Sequence, residues 1–385
     1  MFVDFFKSEK SGGFILIACT ALSLVISNTA WGDAYLHFWH MPVDLSFGKV
    51  RLDYSVELWI NDGLMTIFFL LVGLEIEREL YVGELSNIRK AMLPVLAAIG
   101  GMLVPAGIHL LFNSGTATQS GFGIPMATDI AFALGILSLA GNKVPTSVKV
   151  FLTALAIIDD LGAITVIALF YTADFSFTYF IIALAIFIVL FILGKLKVYN
   201  LLVYIIPGIV MWYCMLQSGV HATIAGVLLA FAIPFNKKDK KNSSYHLQHI
   251  LHRPVAFIIL PLFALANTAI VFPKDALASL TTHNSLGIIL GLLLGKFGGI
   301  LLTCFLAIRL KIAAMANDIT WPYLTGISVL AGIGFTMSIF ITNLAFNDVA
   351  TITDSKLSIL LASFIAGITG LYIVKRVVAK SNKTL

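Results

Sequence analysis

Along most of its length the chain alternates long apolar stretches with short polar ones. It shows neither the two-residue alternation of a half-buried strand nor the single apolar stripe of a surface helix. The stretches fall at 12–28, 58–74, 91–111, 121–140, 148–171, 179–193, 201–216, 220–234, 254–272, 286–308, 323–345 and 357–374. A helix needs about 20 apolar residues to cross a bilayer, and these runs approach or reach that length. A transmembrane barrel is excluded, because its strands alternate lipid-facing and lumen-facing residues over about ten positions. The pattern predicts an all-α polytopic membrane protein of about twelve transmembrane helices, a single domain over 1–385 with no room for a soluble second one.

Composition supports this: 59% of the residues are hydrophobic and 12% charged, against about a quarter charged in an ordinary soluble domain. The net charge of +5 would suggest nucleic acid in a soluble chain, but the basic residues lie in short loops, so no nucleic-acid partner is expected. With both termini placed in the cytoplasm, twenty Lys and Arg fall on the inner side. Only Lys49, Arg51, Lys274 and Lys356 fall outside, and Lys296 is left inside a span. That asymmetry fits the positive-inside rule and an even number of helices. Cys19, Cys214 and Cys304 all sit in apolar runs without ligand or disulfide spacing. The first run follows Lys7 and Lys10 as a signal peptide would, but no A-x-A site closes it, so it is read as a retained span. Residues 43–54 alternate around Phe47-Gly48-Lys49 and predict a small extracytoplasmic β-hairpin. Residues 236–249 read as a solvated connector.

A charge at the bilayer centre costs about 2.5–3.5 kcal/mol on insertion scales, so each one asks for a partner or a use. Asp159 and Asp160 lie in LTALAIIDDLGAITVIALF, far from either end of their span. Adjacent helical residues point about 100° apart, so one carboxylate can face a cavity and the other a neighbouring helix. Their mutual repulsion is relieved by a proton or by a small hard cation, and two guests competing for one site is the physical basis of exchange. The plain alternative is a structural ion pair. Lys296, in LLLGKFGGILL, is too deep to snorkel and needs an anion. Asp159 is the expected partner, with Asp160 left for the ion, although spacing alone allows the reverse.

Gly121, Gly123 and Pro125 interrupt the span that carries Thr128 and Asp129, and Gly332 and Gly334 interrupt the corresponding span of the second half. Paired interruptions predict two broken helices in inverted repeats. Acidic and basic side chains would compensate their exposed half-helix ends. Two Gly-rich packing faces are the simpler alternative. His221 in SGVHATIAG suits packing or hydrogen bonding better than ligation. Glu75, Arg78 and Glu79 share a helix face in LEIEREL. They form either a surface salt-bridge cluster or, with His249 and His252 at the start of the ninth span, a pH sensor.

Together FFLLVGLEIEREL, IPMATDIAFALG, LAIIDDLGAI, SGVHATIAG, LPLFALANT, LLLGK and GIGFTMSIFI resemble, in order and over nearly the whole chain, the NhaA-type sodium/proton antiporters. The resemblance implies a secondary transporter, not an enzyme, with no cofactor. Asp160 would be the principal Na⁺ or Li⁺ ligand and proton carrier, with Asp159 its partner, and Thr128, Asp129 and Lys296 in support. It further implies electrogenic exchange, pH sensing by Glu75, Arg78, Glu79, His249 and His252, and inverted repeats at 91–171 and 284–376 whose two broken helices cross. Homodimers through the 43–54 hairpin and residence in the bacterial inner membrane are also implied. Gln248 stands where the family has an acid and Phe297 where it has a proline, which bears on the pH profile. The rival readings are a transporter of another solute, a channel, or an intramembrane aspartyl hydrolase with a shared proton.

Overall fold

The computed structural model describes residues 2–48, 50–141, 143–172, 175–236, 243–273, 275–316 and 318–381. Lys49, Lys274, Lys237, Lys238, Lys240, Lys241 and Lys383, which entered the topology count and the hairpin and connector readings, lie outside them. Among the described residues each expected span has a helical counterpart. Eight helices are long and apolar enough to cross a membrane: α2 (Val56–Val82), α3 (Lys90–Asn113), α4 (Gln119–Ser138), α5 (Thr146–Phe170), α6 (Phe177–Lys195), α9 (Ser243–Asn267), α10 (His283–Arg309) and α12 (Val349–Lys380). Two more spans are bent pairs, α1 (Ser11–Ser27 with Gly32–His40, 115°) and α11 (Trp321–Leu330 with Phe335–Ala345, 43°). Two are shorter apolar helices, α7 (Leu202–Gln217) and α8 (Thr223–Ala232). Helix is the form expected here, since a chain in hydrocarbon must satisfy its backbone internally.

Two boundaries differ from the sequence reading. Residues 243–249 are the first turns of α9 and not a connector, so His249 and His252 lie within a helix that starts at Ser243. Polar residues open it, which hides the start from an apolar-run criterion. The first span is followed by a sharply bent second helix after the turn at Asn28–Trp31.

By compactness the chain divides into two units. The first comprises Met1–Phe14, Val82–Ile167 and Pro273–Leu385. In it α3 and α10 approach closely: a β-carbon on Gly299 would stand 2.2 Å from the Gly100 carbonyl oxygen. The second comprises Ile15–Tyr81 and Ala168–Phe272. Its core gathers Leu74, Tyr204, Met211, Leu229 and Ala230, and the Trp212 indole donates to the Asp62 carbonyl at 3.1 Å. This unit also holds the hairpin, β1 (Pro42–Asp44) against β2 (Asp53–Ser55), antiparallel with Val43 opposite Tyr54. Gly48 turns it at φ +58°, a conformation a side chain resists.

Candidate functional site

In the first unit, Asp159 and Asp160 fall near the middle of α5, with thirteen helical residues before them and ten after. At 1.5 Å per residue, about 15 Å of helix separates them from the nearer end. Asp159 is 0% and Asp160 1% exposed. Lys296, also 0% exposed, donates its ammonium to Asp159 Oδ2, which resolves the choice that spacing left open. It also feels the charge of Asp160 at longer range. Two carboxylates facing one ammonium leave the cluster one negative charge in excess.

Both predicted interruptions are present, and they meet. The first arm of α4, Gln119–Met126, is a tight 3₁₀ turn sequence. The chain then runs extended through Ala127 to Asp129 before a second arm, Ile130–Ser138. The Asp129 amide donates to the Ile333 carbonyl at 2.7 Å, inside the break of α11. Ser338 Oγ donates to the Ile124 carbonyl at 2.7 Å. These bonds satisfy backbone groups that interrupted helices leave open.

Asp129 accepts from the Phe132 amide at 2.9 Å and from the Thr336 amide at 3.1 Å, and the Thr336 hydroxyl donates to it as well. One carboxylate thus caps the N-terminal ends of two half-helices, where aligned peptide dipoles favour negative charge. Lys296 is committed to Asp159. The Thr128 hydroxyl lies 2.7 Å from Asp159 Oδ2 and 2.9 Å from the Ala331 carbonyl oxygen. It has one proton for two acceptors, so its bond to the α11 break answers to the state of Asp159.

In the second unit, Glu75, Arg78, Glu79, His249 and His252 are brought into one cluster. Arg78 Nη2 bonds Glu79 Oε1 at 3.0 Å. Gln248 hydrogen-bonds Glu75, which also faces Arg78. His252 faces Arg78, His249 and Arg253. Glu75 is 9% exposed, Arg78, Glu79 and His252 are half-buried, and His249 is exposed, so the cluster runs from the interior to the surface. His221 accepts or donates at Nε2 with the Tyr171 carbonyl, 2.8 Å away, a hydrogen-bonding role.

Sequence reasoning passed over several partners. Thr336 carries no signal beyond lying after the α11 break. Glu77, two residues from Glu75, points to a different neighbour: its Oε2 accepts from Ser244 Oγ at 3.0 Å, and Lys195 is its nearby cation. A helical step of about 200° between the two acids could have indicated a separate partner, though not which one. Among the described residues, no group of three or more His, Cys, Asp or Glu could hold a metal ion.

The family model for Na⁺/H⁺ antiporter 1 matches residues 3–374. A protein of Flavobacterium psychrophilum named Na⁺/H⁺ antiporter NhaA is 59% identical over 377 residues, covering 98% of this chain and 96% of the relative. Its namesake in Cytophaga hutchinsonii is 57% identical over 371 residues, covering 96% and 94%. That in Dechloromonas aromatica is 57% identical over 370 residues, covering 95% and 93%. The motifs, the buried acidic pair and full-length similarity agree, and the chain belongs to the Na⁺/H⁺ antiporter 1 family, secondary transporters and not enzymes.

Proposed function

We propose that the protein exports Na⁺ or Li⁺ in exchange for H⁺ by exposing the Asp159–Asp160 pair alternately to the two sides of the membrane. The observation that carries this reading is the charge balance at mid-helix: two buried carboxylates and one buried ammonium, Lys296, held by Asp159. The excess negative charge is expensive in a low dielectric and is neutralised by one proton or one small hard cation. Asp160 is the principal cation ligand and proton carrier, and Asp159 its partner. At acid pH protons hold the carboxylates; as pH rises they leave and the cation enters.

Thr128 links the pair to the crossed breaks. With Asp159 ionised, the hydroxyl serves Oδ2; with Asp159 neutralised by a proton, it is released to the Ala331 carbonyl. More than one proton per sodium makes the cycle electrogenic, and the membrane potential then contributes about 2.3 kcal/mol per charge per 100 mV. Glu75, Arg78, Glu79, His249 and His252 set the pH at which transport switches on. The protein resides in the bacterial inner membrane with both termini cytoplasmic, as the distribution of Lys and Arg suggests. It pairs with a second copy through the 43–54 hairpin, and 91–171 and 284–376 are its inverted repeats.

Everted vesicles carrying a pH-sensitive dye test this directly. Adding Na⁺ or Li⁺ dissipates the acid gradient in the parent protein and fails to do so in Asp160→Asn. A parent without that response, or an Asp160→Asn variant that retains it, refutes the assignment.

A further inference from the structure

At the other end of α3 from its basic residues, His109 is fully buried in a polar cluster that the exchange mechanism does not use. Its Nε2 lies 3.2 Å from Asn284 Oδ1. Asn284 Nδ2 in turn donates to Ser355 Oγ at 2.8 Å, and that hydroxyl donates to the Thr351 carbonyl at 2.7 Å. The chain of donors fixes the ring. Ser355 has spent its proton, so Asn284 must present its amide NH₂ there and its oxygen to His109; Nε2 therefore carries the imidazole proton. Nδ1 is left as a buried lone pair with no hydrogen-bond partner.

Two glycines let their helices close on the Nε2 and Cδ2 side of the ring. A β-carbon on Gly121 would stand 3.1 Å from Nε2, and one on Gly287 would stand 2.9 Å from Cδ2. Gly121 belongs to the first arm of α4, which leads to Thr128 and Asp129. The ionisable groups nearest in sequence on the packed elements are His283 beside Asn284, and Asp354 and Lys356 beside Ser355. None of them acts on the imidazole, whose polar environment is Asn284. The first arm of α4 and the second half of α11 contribute no ionisable residue, the first half of α11 contributes only Tyr323, and α3 has none beyond Lys90 other than His109.

We propose that His109 is a second proton-binding site, at Nδ1, which slows exchange in acid by displacing the first arm of α4. A proton added at Nδ1 creates a buried N–H and a positive charge with no acceptor, a state the enclosure must open to accommodate. The arm of α4 at Gly121 stands against the Nε2–Cε1 edge of the same ring and leads to Thr128, which bonds Asp159, so a ring that shifts to take the proton acts on the transport site. This rests on the exchange reading above, and the test separates the two.

In proteoliposomes with equal pH on both sides, radioactive sodium–sodium exchange is followed from acid to alkaline pH. His109→Gln retains a donor toward Asn284 and cannot take a second proton; it exchanges several-fold faster than the parent in acid and equally at alkaline pH. Asn284→Asp places an anion against the ring and moves the acid limb upward by about 1–3 pH units. Nitrogen NMR of histidine-labelled protein, with His109 assigned by its loss in His109→Gln, shows one bare ring nitrogen in the alkaline range and two protonated ones in acid. Superimposable profiles for the parent and His109→Gln, or a neutral ring protonated at Nδ1, overturn the proposal. If the parent exchanges no sodium at any pH, the transport reading fails, and the nitrogen titration still decides the proton site.

Discussion

Replacing Lys296 by Met removes the ammonium that Asp159 Oδ2 accepts from, in a place where both side chains are fully buried. Thr128 remains as a neutral donor to the same oxygen at 2.7 Å, while Asp159 Oδ1 has no hydrogen-bond partner. Leaving one member of a buried pair costs about 3–5 kcal/mol, because the survivor is an uncompensated charge. Asp159→Asn removes the ammonium's hydrogen-bond acceptor but leaves Asp160 to face it, so it costs less. The double variant leaves no broken pair between positions 159 and 296, and neutral replacements of comparable volume at buried pairs are often close to neutral in stability. Independent effects would sum to at least the Lys296→Met cost of about 3–5 kcal/mol, so near-neutrality of the double variant means a coupling of about 3 kcal/mol or more. Graded detergent unfolding of the four proteins, followed through the emission of the five tryptophans, measures the cycle. Additivity within about 0.5 kcal/mol would show that the two groups do not depend on each other and would refute the pairing.

Gln248→Glu gives the Glu75 cluster another titrating acid and shifts the pH midpoint of transport more than its maximal rate, as dye-reported exchange across pH will register. Gly299→Ala forces α3 and α10 apart, since the new carbon would meet the Gly100 carbonyl at 2.2 Å, and costs about 1–3 kcal/mol of stability. The neighbouring Gly298 has open space around a β-carbon, so Gly298→Ala is neutral or stabilising in the same thermal assay. The Thr351 hydroxyl and amide hold the Asp348 carboxyl below the usual carboxylate range. A lowered value means that the cap stabilises the folded state above the unfolded value and is lost as pH falls through the folded one. Asp348→Asn therefore weakens amide protection in the first turn of α12 at neutral pH, and hydrogen exchange shows the difference closing in strong acid.

Spans were legible because a bilayer gives the backbone no alternative to internal hydrogen bonds, so apolar length alone locates them. The acids at 159 and 160 and the lysine at 296 were legible for the complementary reason: a charge in hydrocarbon is conspicuous. The start of α9 was not, because its first turns face polar neighbours and carry Ser, Tyr, His and Gln. Glu77 and His109 were missed for another reason. Each is a single polar residue whose meaning depends on which helix faces it, and one chain's order of residues does not specify that. Glu77 has Ser244 on α9 and Lys195 on α6, while His109 has Asn284 on α10.

The choice of Asp159 over Asp160 as the lysine's partner shows why helical spacing stopped short of the site. Just before Lys296 the α10 backbone widens into a π-turn at Gly291–Gly295. One additional residue in a turn displaces every later side chain by about 100° around the axis relative to an ideal helix. A wheel drawn through 286–308 therefore assigns Lys296 the wrong azimuth, and a one-residue error in facing is the difference between adjacent aspartates. The widened turn also needs its glycines. A β-carbon at Gly291 would stand 2.7 Å from Pro125 Cβ on the first arm of α4, and one at Gly295 would stand 2.8 Å from Pro105 Cα on α3. These close approaches fix the turn against both neighbours, so the direction of the Lys296 side chain is set by packing on α3 and α4 before any charge is considered. The ammonium then meets the carboxylate that this geometry presents to it, Asp159.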